Sequence, residues 1–247
     1  MLMYNQSMRI SYYDLDMHGR LRLSALLRMI HTAADVNACD LGIGFSELSR
    51  HDLTFILQRI SFRYFQIPVY GQEVEIRTWP QGISKGTFMR LGDMHDSGGG
   101  KMIEWASMWI LFNTAERRIA KPSVLPTKIQ GLDAQGVEIR PKKIVLPMTL
   151  GEPFSSYTHA VRYRDTDTNT HMNNSVYGDL IGNAIFPAPL LDSHNLRPWQ
   201  EAHINYLQES WFGTSLVVSG WALRDDFYIL GTTGVDKRFA AHILLHP

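Results

Sequence analysis

The sequence predicts an α+β fold built twice: two tandem domains, each a long helix packed on an antiparallel sheet. Three observations carry this expectation. The chain repeats itself at a very long period. Each half opens with a short polar segment that leads into an apolar run of helical spacing. Each half then continues as alternating strands separated by turn residues. At an offset of 151 (165 − 14), Asp14 meets Asp165, Asp16 meets Asp167 and Ser24 meets Ser175, whereas His18 meets Asn169 and Arg20 meets His171. At an offset of 142 (213 − 71), Phe62 to Gln66 meets Ile204 to Gln208, Gly71 meets Gly213 and Trp79 meets Trp221. So long a period indicates duplicated domains rather than a solenoid of short repeats.

In chain order, the first half reads as a short strand from Met8 to Tyr13 and then a helix. In the helix Leu23, Leu26, Leu27, Ile30 and Ala34 recur at three- and four-residue steps. Ser24 is placed to cap it, and Gly42 and Gly44 end it. Ile60 to Val69 and Val74 to Trp79 read as strands around a turn at Gly71. Val74 and Ile76 alternate with Glu73, Glu75 and Arg77, as in a sheet with one wet face. Thr87 to His95 and Lys101 to Phe112 form a hairpin through Ser97-Gly98-Gly99-Gly100. The second half repeats the order: a strand to Tyr163, a helix from about Ser175 to Ile185, and strands from Ala202, Thr214, Phe227 and Arg238. Each helix is expected to cross the concave face of its sheet. The domains are drawn at 1–120 and 154–247, with 121–153 between them. That segment holds five of the 11 prolines and little periodicity, and reads as an ordinary solvated linker.

Composition sets outer bounds. With 247 residues, 45% hydrophobic, the chain can bury one or two cores. A net charge of zero and no dense basic stripe argue against a nucleic-acid partner. The single Cys39 excludes an internal disulfide framework and a cysteine-rich zinc site. No run approaches the ~18 apolar residues of a membrane span, and the first residues lack the pattern of a signal peptide. A cytoplasmic protein without membrane insertion is expected, and assembly as a homodimer is compatible with the sequence.

Several motifs fail on inspection. Gly82-Ile83-Ser84-Lys85-Gly86 has the spacing of a serine-hydrolase nucleophile elbow but runs into a strand, not a helix. Asp165-x-Asp167-x-Asn169 opens like a calcium loop, yet Thr170 and Val176 stand where Gly and a bidentate Glu are needed. His51, His159 and His203 show no metal-ligand spacing and read as surface or strand-end residues.

The segment from Arg164 to Asn174 is chemically dense, with two carboxylates, an imidazole and three carboxamides ahead of a helix. Asn169 and His171, two apart on an extended approach, can face one cavity. Asp167 can cap the helix or orient them. Helix-cap chemistry accounts for Asn173, Asn174 and Ser175, but less well for His171. Glu209 lies on a predicted strand from His203 to Trp211, where its counterpart in the first half is Ile67. An acid on that face is either an exposed edge residue or a catalytic carboxylate in an apolar site, suited to general-base work.

These residues resemble the acyl-[acyl carrier protein] thioesterases over nearly the whole length. Asp167-Thr168-Asn169-Thr170-His171-Met172-Asn173-Asn174 is similar to that family's D-x-N-x-H-x-N-N segment. Ile204 to Ser210 is similar to its L-x-Y-x-x-E-C strand. The resemblance implies a double hotdog fold and hydrolysis of fatty acyl thioesters on acyl carrier protein. It implies Asp167, Asn169, His171 and Glu209 as catalytic residues, and no metal or organic cofactor. Ser210 stands where plant members carry Cys, which favours direct attack by water. Plant members begin with a transit peptide that this sequence does not show, so a bacterial-type member is expected. The first half, stripped of the polar set, is expected to hold the acyl chain near Leu26, Ile30 and Ala34. Two other functions fit the same fold: an acyl-CoA thioesterase and a non-catalytic acyl-binding protein.

Overall fold

In the computed structural model, which describes residues 2–132, 136–186 and 198–246, the two halves share a common order of one strand, a long helix and four strands, to which the first adds a short helix and a short strand. The first runs β1 (Tyr4–Arg9), α1 (Leu23–Asp40), α2 (Phe45–Ser49), β2 (Leu53–Tyr64), β3 (Glu73–Ser84), β4 (Thr87–Asp96), β5 (Lys101–Asn113) and β6 (Arg118–Ile119). The second runs β7 (Ser155–Ala160), α3 (Val176–Ile185), β8 (Trp199–Tyr206), β9 (Ser215–Leu223), β10 (Asp226–Thr233) and β11 (Asp236–Leu245). The expected α+β class is what the chain adopts.

Local chemistry moves several boundaries. The first strand ends at Arg9, not Tyr13. The Ser11 hydroxyl accepts the Tyr13 N–H, and Asp14 accepts the Ser11 N–H, a capping box that winds Tyr12–Asp14 into a single 3-10 turn. Ser24 is not a cap. It is the second residue of α1, fully buried, and its hydroxyl donates to Asp179 of α3 at 2.5 Å. β2 stops at Tyr64, because the N–H groups of Phe65 and Gln66 both turn to the carbonyl of Met102.

The strands lie in the order β1-β3-β4-β5-β2-β8-β11-β10-β9-β7, with β6 on β5. The two domain sheets are therefore fused edge to edge through an antiparallel β2–β8 ladder. In that ladder Ser61 and His203, equivalent at the offset of 142, are direct register partners. Each half meets its own copy there, so the duplication is expressed as an approximate twofold axis through the seam. Gly71 and Gly213, equivalent at the same offset, both carry a positive φ (+76° and +81°). α1 and α3 pack against each other over one face of the sheet. A Cβ on Gly178 would stand 2.5 Å from the Ser24 backbone nitrogen, so this crossing needs glycine. A single core joins Leu26, Leu27 and Ile30 of α1 to Leu180 and Ile181 of α3 and to Phe62, Ile204 and Phe239 of the sheet.

The segment 121–153 is not the solvated linker expected. Val137 and Ile139 are buried against Trp79, Leu91 and Ala106. The Ile139 N–H donates to the buried Glu104 at 3.0 Å, and Asn205 bonds both the Lys142 carbonyl (2.8 Å) and the Ile144 N–H (2.9 Å). The crossing thus covers part of the second sheet face and pins the seam from outside.

His203 also departs from expectation. It is buried, bonded to Ser61 (2.8 Å) and Glu201 (3.1 Å), and stacked on His242 at 5.6 Å. Burial, helped by the nearby Lys142 charge, lowers its pKa from 6.5 to about 4, and burial lowers that of His242 as well. The unfolded chain therefore binds protons that the folded seam refuses. The stabilisation is complete above about pH 6.5 and declines as pH falls toward 4. Much of this loss, shared between His203 and His242, falls between pH 7 and pH 5. The urea midpoint is expected to drop over that interval, and to drop less in His203→Gln. A midpoint equally pH-dependent in the variant would place the effect elsewhere.

Candidate active site

The polar segment is folded into a tight turn rather than an extended approach. The Asp167 N–H donates to the His171 carbonyl (3.1 Å) and the Thr170 N–H to the Asp167 carbonyl (2.9 Å), with Thr170 at φ +65°. Asp167 Oδ1 accepts the Asn169 N–H at 2.8 Å, and Asn173 Nδ2 lies 3.5 Å from Asp167 Oδ2. Asp167 is therefore the hub that fixes the turn. The Met172 N–H donates to the Ser210 carbonyl at 2.7 Å, tying the turn to the segment that carries Glu209.

That segment is not a regular strand. β8 ends at Tyr206, because the N–H groups of Leu207 and Gln208 both donate to the carbonyl of Arg238. Arg238 also donates to the Glu209 carbonyl at 2.9 Å. The irregular backbone places Glu209 and Ser210 in different surroundings. The Glu209 carboxylate is 46% exposed, the first of the two alternatives that its equivalence to Ile67 left open. Its Oε1 lies 3.9 Å from His171 Nε2, while His171 Nδ1 lies 4.0 Å from Asp167 Oδ1. The imidazole thus stands between two carboxylates, with its ring edge-on to Trp211 at 5.8 Å. Ser210 is buried, and its hydroxyl accepts from Tyr177 at 3.2 Å. Burial pushes the Tyr177 pKa up, which keeps that phenol a neutral donor.

Beside this cluster opens a cavity of about 350 Å³. Its rim includes Asp167, Asn169 and Asn174 from the second half. Its walls include Ala34, Ala38, Phe55, Phe88 and Trp109 from the first. Polar groups of one domain therefore face a largely apolar hollow in the other. Of the three residues expected to hold an acyl chain, Ala34 lines this cavity. Leu26 and Ile30 do not: both are nearly fully buried in the main core. His171 and Glu209 stand outside the lining, beyond Asp167. Asn174, assigned to helix capping from sequence, is a rim residue, and its carbonyl accepts the Tyr206 hydroxyl at 3.1 Å. The backbone at the start of α3 is partly consumed. The N–H groups of Ser175, Val176 and Gly178 donate to Asn173 Oδ1, the Asn173 carbonyl and the Ser175 carbonyl.

Comparison with known proteins places the chain. The family model described as the acyl-ACP thioesterase N-terminal domain matches residues 1–125, and that of the C-terminal domain matches residues 151–228. The chain is 25% identical over 211 residues to a chloroplastic dodecanoyl-[acyl-carrier-protein] hydrolase of Cinnamomum camphora, covering 79% of this chain and 54% of that protein. It is 25% identical over 217 residues to a chloroplastic palmitoyl-acyl carrier protein thioesterase of Gossypium hirsutum, covering 79% and 50%. It thus spans about half the length of these curated relatives. Its fold matches the crystal structure of an acyl-ACP thioesterase from Bacteroides thetaiotaomicron at a TM-score of 0.86 and 20% identity, over 99% of this chain and 98% of that one. A 12:0-ACP thioesterase from Umbellularia californica gives a TM-score of 0.81 at 19% identity, covering 100% and 98%. With both domain models matched in order across most of its length, the chain belongs to the acyl-ACP thioesterase family.

Proposed function

We propose that this protein hydrolyses fatty acyl thioesters on acyl carrier protein, releasing a free fatty acid and the carrier thiol. One observation carries the reading: an Asp167–His171–Glu209 array stands beside a cavity whose walls belong to the other, chemically stripped domain. The acyl chain lies along Ala34 and its neighbours, with the thioester at the Asp167–Asn169 rim. Water attacks the thioester carbon, and Glu209 accepts the water proton. Asn169 and His171 donate to the carbonyl oxygen as it becomes an oxyanion, while Asp167 fixes their turn. The tetrahedral intermediate expels the thiolate, the proton held by Glu209 returns to the sulfur, and the carboxylic acid is freed. The test is release of free fatty acid from dodecanoyl- and hexadecanoyl-carrier protein by the full chain, beside the matched CoA thioesters. Faster cleavage of the CoA series would point to an acyl-CoA thioesterase. No cleavage of either would make it an acyl-binding protein.

The same mechanism leaves no chemical task for Ser210. Its hydroxyl is buried and accepts the Tyr177 hydroxyl, with no hydrogen bond to the Glu209 carboxylate among the described residues. A nucleophile must lie within about 2.6–3.2 Å of its base. Ser210→Ala is expected to keep turnover within about tenfold of wild type, the order of one lost hydrogen bond. An acyl-enzyme adduct on Ser210, trapped and seen by mass spectrometry, would replace water attack by covalent catalysis.

A further inference from the structure

The duplication leaves a second cavity. It has a volume of about 530 Å³ and is lined by the first-half motif and by α3. Its lining is the counterpart of the cavity described above. Asp16, His18 and Leu23 replace Asp167, Asn169 and Asn174, and Gly182, Ile185 and Phe186 replace His31, Ala34 and Asp35, all at the offset of 151. Ile67, the counterpart of Glu209, is also part of the wall. The chemistry has changed in a consistent direction. The position of the candidate base is aliphatic, and the two carboxylates of the wall, Asp16 and Asp179, are bonded to Arg20 and Ser24. The position of His171 is Arg20, a permanent cation. Asp16 holds the Arg20 Nε and Nη2 at 3.3 and 3.2 Å, which fixes the fork and leaves part of its five-donor capacity unspent on Asp16. The His18 ring lies 5.6 Å from Phe186, with its Nε2 buried and without a hydrogen-bond partner. The other carboxylate of the wall, Asp179, already accepts the Ser24 hydroxyl.

We propose that this second cavity binds a free fatty acid without reacting with it. The carboxylate sits on Arg20, and the chain lies against Tyr64, Ile67, Ile185, Phe186 and Trp199. A cation at one end of a largely apolar hollow matches a long-chain carboxylate, and the replacement of Glu209 by Ile67 removes the means of hydrolysis while adding chain contact. The inference concerns binding alone, so it stands or falls apart from the thioesterase reading.

The test is calorimetric titration of the full chain with sodium dodecanoate and, separately, dodecanol. A Cβ on Gly182 meets nothing within 4 Å, so Gly182→Leu fills the cavity without a backbone clash, and leucine favours the helix over glycine. Gly182→Leu is expected to remove one dodecanoate-binding event. Arg20→Gln is expected to weaken that event by about tenfold or more, as for loss of a charged hydrogen bond, and to leave dodecanol binding within about twofold. Wild-type dodecanoate stoichiometry and affinity in Gly182→Leu would overturn the proposal. So would an Arg20→Gln variant, folded by circular dichroism, that binds dodecanoate as wild type or loses dodecanol equally.

Discussion

Glu209→Gln is expected to fold normally and to lose about 10²- to 10⁴-fold in kcat, the usual loss when a general base is removed. The structure separates the two effects. The Glu209 backbone is held by Arg238, whose guanidinium donates to the Glu209 carbonyl, and this bond does not depend on the side chain. The carboxylate itself is half exposed, and its ion-pair contact is with His171 at 3.9 Å. Exchanging oxygen for an amide nitrogen of nearly equal size leaves packing untouched, and exposed substitutions typically change stability by less than about 0.5 kcal/mol. The cavity proposed to hold the acyl chain does not include Glu209, so KM is expected to stay within a few fold while kcat collapses. Steady-state kinetics on an acyl-carrier-protein substrate, with a thermal melt of the same preparation, reads both quantities. Wild-type kcat in a well-folded variant would move the base to Asp167, the other carboxylate beside His171.

What was legible in the sequence was local or repeated. The duplication showed because paired residues recur at fixed offsets. The polar segment showed because no helix start needs so many carboxylates and amides together, but its turn, closed by the Asp167 N–H on the His171 carbonyl, did not. What was hidden depends on partners distant in the chain. Nothing in β2 or β8 alone says that their edges join, since an exposed edge and a fused one share the same alternation. The end of β8 is set by the Arg238 carbonyl taking two successive N–H groups, a decision made on the neighbouring strand. The burial of Val137 and Ile139 could not be read from a proline-rich stretch without periodicity, because the surface that covers them is built by Trp79, Leu91 and Ala106. Helical spacing found the buried face of α1 but could not tell filled space from empty. Leu26 and Ile30 fill the core, whereas the small side chains of Ala34 and Ala38 one and two turns on leave the cavity. A run of alanines on an otherwise leucine-rich face was the available signal.

His171→Ala and Asn169→Ala separate orientation from chemistry. Each is expected to lower kcat by about 10²- to 10³-fold, the loss seen when one donor to an oxyanion is removed, with stability changed by less than about 1 kcal/mol. Asn169 is exposed, and its structural tie is the backbone N–H to Asp167, which alanine keeps. His171 is partly exposed, and its backbone carbonyl, which accepts the Asp167 N–H, is likewise kept. Neither substitution touches the wall formed by Ala34, Phe88 and Trp109, so acyl-chain affinity is expected to hold. Asp167→Ala should differ in kind. It removes the acceptor for the Asn169 N–H and the partner of Asn173, so the turn itself loosens and kcat falls with a measurable loss of melting temperature. Single-turnover rates and melts of the three variants distinguish the roles. Equal destabilisation by all three would make the cluster a structural turn, and near-wild-type rates in His171→Ala would remove the imidazole from the reaction.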